Sequence, residues 1–152
     1  MSGPDVRPIG VVRNAVTQPR DEGWGPVVSE IRLRPELADG LKGLADFSHA
    51  VVVFLLDRVG FDPAAHLLRH PRNRPDLPRL GIFAQRGRNR PNGIGVTTVA
   101  IERVEAGVLT VRGLDAIDGT PVLDVKPHVP VYDAPARPRV PEWMDRLMQG
   151  YF

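Results

Sequence analysis

The chain has no cysteine among its 152 residues, only two lysines (Lys42 and Lys126) and only three serines (Ser2, Ser29 and Ser48). The first absence excludes disulfides and thiolate metal sites and fits a cytoplasmic protein. Scarce serine leaves few hydroxyl nucleophiles. Ser48 adjoins His49, but neighbours at the start of a strand are expected to point to opposite sides, so no nucleophile–base pair is expected there. The longest apolar run, AVVVFLL (Ala50–Leu56), has seven residues against the roughly 20 that span a bilayer, so no membrane segment is expected. The opening MSGPDVRPIG lacks a basic stretch leading into an apolar one and does not read as a signal peptide. Also missing are a GxGxxG turn opening a helix and a Walker A loop, so neither a Rossmann dinucleotide site nor a P-loop is supported. With a formal charge of +2, whole-molecule basicity says little about partners.

What the chain has in quantity is proline and glycine, 16 and 15 residues, without a repeating period. That composition favours a turn-rich β domain over a helical bundle, and the length suits one domain with a real core. Strands are expected at Pro8–Arg13, Val28–Leu33, Leu80–Gln85, Val96–Val104, Val108–Leu114 and Val122–Val125, and a fully buried one at Ala50–Leu56. Glu105-Ala106-Gly107 and Asp118-Gly119 read as turns between them. A short helix is expected over Glu36–Leu44, with Leu37, Leu41 and Leu44 on one face. Another is expected over Glu142–Gln149, with Trp143, Met144 and Leu147 inward. Strands do not alternate with long helices, so a doubly wound parallel sheet is not expected. The expectation is a mainly β, mostly antiparallel, barrel-like single domain over residues 1–152, with its core at about 6–132 and short helical additions.

All but two of the 20 basic residues are arginines, as a GC-rich coding bias would produce. Seven of them (Arg69, Arg72, Arg74, Arg79, Arg86, Arg88 and Arg90) crowd one stretch that holds a single acid, Asp76. Guanidinium forks suit phosphates and carboxylates, so this stretch is either a solvated loop or an RNA-facing surface. His66 and His70 have the spacing of a helical metal pair, but Pro71 follows at once and no carboxylate completes a set; no metal is expected.

Two loops concentrate chemistry. FAQRGRNRPNGIG (Phe83–Gly95) holds three arginines, and glycines on either side of Ile94 that permit close backbone approach or positive φ. LDAIDGTPVLDVKPHVP (Leu114–Pro130) supplies Asp115, Asp118, Asp124, Lys126 and His128 around a tight turn. Taken singly, Asp118 reads equally as the cap of its own turn.

Together these two stretches resemble the signature of the tRNA-methyltransferase O family (YaeB/TsaA-like), whose usual pattern is FATRSPxRPNPIG followed by DLxDGTPVLDIKPY. IGVVRN near the start, Pro19-Arg20-Asp21 where the family has PRQ, and LADFSHAVVVFLLDR where it has LExFSHLWVLFxFH extend the likeness from about Ile9 to Pro130. The chain departs from the pattern at Gly93 (family Pro), at His128 (family Tyr), at Gln85-Arg86-Gly87 (family TRS), at Asp21, and at Asp57-Arg58. The resemblance implies a β-barrel methyltransferase that uses S-adenosylmethionine, works as a homodimer with the cofactor near the interface, and methylates N6 of threonylcarbamoyladenosine beside the anticodon of tRNA. The cofactor set it implies is Pro19, Arg20, Asp21, Asp57, Arg58, Arg86, Val96, Leu114, Asp115, Ala116 and Ile117. Asn92, Asp124, Lys126 and His128 become the catalytic candidates, and Arg88, Arg90 and Asp118 the acceptor-binding ones. No separate RNA-binding domain is expected after the final helix. The other readings are a methyltransferase for a different nucleotide or small molecule, and a non-catalytic module that binds S-adenosylmethionine or RNA.

Overall fold

The computed structural model describes residues 3–152; Met1 and Ser2 of the expected domain lie outside the described residues. Six strands close into a barrel in the order β1 (Gly10–Arg13), β2 (Val28–Leu33), β7 (Val108–Arg112), β6 (Ile94–Glu105), β3 (His49–Leu55) and β8 (Pro121–Pro127), which pairs back with β1. A separate two-stranded ribbon joins β4 (Leu68–Arg69) to β5 (Leu80–Gly81). The described residues form two compact units, one running as far as Phe54 and taking in Val96–Phe152, and one of Leu55–Gly95.

In the first unit the barrel interior explains the alternation of the sequence. Val12, Ile31, Ala50, Val52, Phe54, Val99, Leu109, Val111 and Val122 are all buried. A strand sends alternate side chains to opposite faces, so each barrel strand contributes every second residue to this core. On β3 only Ala50, Val52 and Phe54 are fully buried, while Val51 and Val53 on the other face are half-buried. The two-sided burial expected of the apolar run is thus replaced by one dry face and one partly covered face. β3 and β8 are antiparallel, with Val53 opposite Asp124 and Val51 opposite Lys126. Because Val52 and Phe54 point inward, Asp124 and Lys126 stand on the outer face of the barrel. A bulge between Val53 and Phe54 leaves Phe54 opposite Val122 and bends β8.

The β6–β7 hairpin closes on Ala106-Gly107, both with positive φ (50° and 76°), between the paired residues Glu105 and Val108. Two positive-φ residues in a two-residue loop match the right-handed strand twist. The helix expected at Glu36–Leu44 is instead two 3₁₀ segments, Pro35–Leu41 and Leu44–Asp46, separated where Gly43 turns left-handed (φ 91°). Leu41 and Leu44 are still buried. The last helix, α3 (Glu142–Leu147), is shorter than expected; Leu147 is buried, whereas Trp143 and Met144 are half-buried. Before it, α2 (Pro130–Asp133) is a single turn.

The second unit contains the one-turn helix α1 (Pro63–His66), the β4–β5 ribbon, and short 3₁₀ turns at Pro71–Asn73 and Ile82–Ala84. Asp62 caps α1 by accepting from Ala64 N at 3.1 Å. The strand expected over Leu80–Gln85 stops at Gly81, because Gln85 is drawn inward. Its side chain is 6% exposed, and Nε2 donates to the carbonyls of Arg69 and Leu80, both at 2.9 Å. These two hydrogen bonds tie the two ribbon strands together and give a structural use to a residue that departs from the family pattern. No helix among the described residues is long and apolar enough to cross a membrane.

Candidate functional site

At one end of the barrel the loop after β1 and the loop between β7 and β8 run side by side. Asp118 N donates to Val16 O at 2.7 Å, Gly119 N to Val12 O at 2.8 Å, and Gly113 N to Val27 O at 2.9 Å. Asn14 is the tie between them. Its Nδ2 donates to Ser29 Oγ at 2.9 Å and to Ala116 O at 2.8 Å, while its Oδ1 accepts from Val16 N at 3.0 Å. Three of its four side-chain hydrogen-bonding positions are therefore engaged. Asp118 Oδ1 accepts from Asn14 N at 3.1 Å, and Arg13 lies 3.8 Å from its Oδ2.

Leu114 and Ala116 are buried anchors, which leave Asp115 and Ile117 half-exposed on the same short loop. Both oxygens of Asp115 are engaged, one by the hydroxyl of buried Thr97 and the other by the Tyr151 hydroxyl at 2.5 Å. A carboxylate has about four acceptor positions, so this one retains capacity for a ligand's hydroxyl or ammonium group. Pro19, Arg20 and Asp21 are exposed on the facing loop. The Arg20 guanidinium lies 4.9 Å from the centre of the Trp24 ring and donates to Gly23 O at 2.7 Å; Trp24 Nε1 donates to Arg20 O at 3.0 Å. Trp24, 3% exposed, nails this loop to the barrel. Val96 is exposed on β6.

The outer face of β8 carries a second group. Lys126 Nζ lies 2.8 Å from Asp124 Oδ2, and Asp124 Oδ1 accepts from Val125 N at 2.9 Å. The hydrogen bond from Asp124, and then its charge, raise the Lys126 pKa above the ordinary lysine value. His128 Nδ1 lies 3.4 Å from Asp133 Oδ2 without the alignment of a hydrogen bond, and its ring meets His49 edge-on at 6.3 Å. His49 Nδ1 is in turn 2.7 Å from Ser48 Oγ. The expectation that these two neighbours diverge is overturned. Ser48 precedes β3, which begins at His49, so strand alternation does not govern it. The pair is exposed to solvent.

Within the second unit, Leu56 N donates to Gly93 O at 2.6 Å and Gly93 N to Arg90 O at 3.1 Å. These bonds set the exposed Asp57-Arg58 turn beside the exposed Asn92. Gly93 has φ +60°, a conformation closed to proline, and a Cβ there would come within 3.2 Å of Leu56 O. Gly95, on β6, does not share the positive φ. Arg90 turns back on its own loop, with Nη1 donating to Gln85 O at 2.7 Å, whereas Arg86 and Arg88 are exposed. Arg69 reaches Asn89 and Asn73, and Arg74 pairs with Asp76 at 2.6 Å. His66 and His70 face different partners: His66 Nδ1 accepts from Asp62 N at 2.9 Å, and His70 Nδ1 lies 2.7 Å from Leu77 O.

Residues 12–134 match the family model described as the tRNA-methyltransferase O N-terminal domain. The chain belongs to the tRNA-methyltransferase O family. An Archaeoglobus fulgidus S-adenosyl-L-methionine-binding protein is 37% identical over 132 residues, 84% of this chain and 91% of that one. A mouse tRNA (adenine(37)-N6)-methyltransferase is 42% identical over 100 residues, 62% of this chain but 22% of that protein. The crystal structure of TrmO from Pseudomonas aeruginosa superposes with a TM-score of 0.71 at 35% identity, covering 91% of this chain and 62% of that one. The chain thus spans about three fifths of that solved family member.

Asn14, Trp24, Thr97 and Tyr151 were not among the residues expected at the site. Asn14 closes the IGVVRN stretch, and Trp24 stands between two glycines in an otherwise polar loop; both were visible signals. Thr97 and Tyr151 reach Asp115 across 18 and 36 residues, and no local pattern announces such contacts.

Proposed function

We propose that this protein is an S-adenosylmethionine-dependent methyltransferase that acts on N6 of threonylcarbamoyladenosine in tRNA. The observation that carries the reading is the family match across the barrel, taken with the frame that holds Arg20 and Asp115. A cation stacked on Trp24 and a half-exposed carboxylate complement a donor that bears a carboxylate, an ammonium group and ribose hydroxyls. S-adenosylmethionine, when bound, supplies an electrophilic methyl group on a sulfonium. The protein's own task is then positioning: the acceptor nitrogen must sit about 3–3.5 Å from that carbon and in line with it. Asp115 takes the ribose hydroxyls or the ammonium group, and Arg20 takes the carboxylate. The acceptor nitrogen loses a proton, and Asp124 or His128 receives it. Lys126, held charged by Asp124, binds an anionic group of the acceptor. Arg86 and Arg88 supply phosphate contacts.

The remaining site residues, Pro19, Asp21, Asp57, Arg58, Val96, Leu114, Ala116 and Ile117, belong to the donor side of the same proposal, and Asn92, Arg90 and Asp118 to its architecture and acceptor side. The active form is a cytoplasmic homodimer with the donor near the interface. Val131 and Tyr132, 86% and 84% exposed, are apolar surface available to a second copy. A second reading has one specific support. The relative that this chain matches over 91% of its length is named for binding S-adenosylmethionine, not for transfer.

The test is turnover with donor labelled in its methyl group and total tRNA from cells that lack their own enzyme of this family. Label in tRNA that disappears in a folded Arg86→Ala variant is the expected result. Donor binding with no label in any RNA sample favours the binding module, and no donor binding overturns both readings.

A further inference from the structure

The segment that follows α3 is built into the end of the barrel with unusual closeness. Gly23 N donates to Gly150 O and Trp24 N to Tyr151 O, both at 2.8 Å, so Gly150–Phe152 lies along the loop that carries Arg20. Gly25 has no room for a side chain, because a Cβ there would stand 2.5 Å from the backbone carbon of Phe152. Gly23 and Gly150 take positive φ at the two sides of the seam (76° and 72°). The Tyr151 ring packs edge-on against Phe152 at 4.8 Å, and its hydroxyl donates to Asp115 Oδ2 at 2.5 Å. Thr97 holds the other oxygen from inside the barrel. A half-exposed carboxylate with one hydroxyl donor on each oxygen has its rotamer fixed before any ligand arrives, and fixing it beforehand lowers the entropy lost on binding.

We infer that Gly150–Phe152 is a strap that completes the methyl-donor site, with Tyr151 a positioning residue that aims Asp115 at the donor's ribose hydroxyls or ammonium group. The inference rests on the proposed donor site. It adds a role for a segment outside the matched residues 12–134. The strap joins Trp24, on the loop of Arg20, to Asp115, because Tyr151 O accepts from Trp24 N and the Tyr151 hydroxyl donates to Asp115, so the groups for the two ends of a zwitterion share one frame.

Calorimetric titration of S-adenosylmethionine and S-adenosylhomocysteine tests this with two independent variants of the full chain. Tyr151→Phe removes the hydroxyl and keeps the ring. Gly25→Ala keeps the hydroxyl and pushes the strap away from the loop. Each should weaken both ligands about tenfold, the scale of one lost hydrogen bond to a charged group. In turnover, each should raise the donor KM by the same factor and leave kcat within about twofold. In the Asp115→Asn background, Tyr151→Phe should have little further effect, since the group it aims is gone. Unchanged affinity in either variant, with its melting temperature retained, overturns the inference while leaving the donor site standing. Tighter binding in Tyr151→Phe overturns it too, because the hydroxyl would then compete with the donor. If the wild-type chain binds neither ligand, the proposed function falls with it.

Discussion

Single side chains hold this site together more than their positions in the sequence advertise. Asn14 bonds Ser29, Ala116 and Val16 at once, so Asn14→Ala breaks the seam between two loops. The expected cost is about 2–3 kcal/mol in urea unfolding, at about 1 kcal/mol for each bond lost, together with weaker donor binding. Lys126 allows a prediction of sign. Its pKa is raised by Asp124, so the stability of the pair is fully present below the ordinary lysine value and is lost only as pH rises through the higher folded value. Between pH 6 and 9, roughly, Lys126 therefore stays charged. Lys126→Met should raise the KM for the acceptor without moving either limb of the pH–rate profile across that range. An unchanged acceptor KM would contradict the anion-binding role of Lys126.

Among the elements, the barrel strands were the most legible, because alternating apolar residues and turn dipeptides follow directly from one-sided burial. The 3₁₀ segments were less so. Leu37, Leu41 and Leu44 have helical spacing, but Pro35, Gly40 and Gly43 break the backbone, and Gly43 is left-handed. The two signature loops stood out by their unusual chemistry. Their internal wiring did not, since nothing local announces that Gln85 bonds both ribbon strands or that Arg90 bonds the Gln85 carbonyl. The same wiring yields a prediction at Gly93. Replacing it by the family's more usual proline removes the hydrogen bond to Arg90 O and demands a φ that this backbone does not have. Gly93→Pro should lose more than about 1 kcal/mol of stability, measured by thermal or urea unfolding. Unchanged stability would mean that the loop readily adopts the family's other conformation.

At the scale of the whole molecule, family membership was legible in two motifs, whereas the strap was not, since Tyr151 meets Asp115 only after the chain has completed the barrel. The formal charge of +2 offers little long-range attraction for RNA, so the proposed tRNA binding is expected to come from local arginines. Arg88→Ala should weaken tRNA binding and reduce the salt slope by about one, as expected for one lost phosphate contact. Arg90→Ala should instead lower stability, because its guanidinium supports the Gln85–Gly87 backbone. Nucleoside mass spectrometry reads the proposed methyl transfer to a modified adenosine in tRNA most directly. After incubation with S-adenosylmethionine, tRNA that carries threonylcarbamoyladenosine should yield that nucleoside one methyl group heavier, and an Asp115→Asn sample should not. Unmodified threonylcarbamoyladenosine after incubation with folded, donor-bound protein would contradict the account.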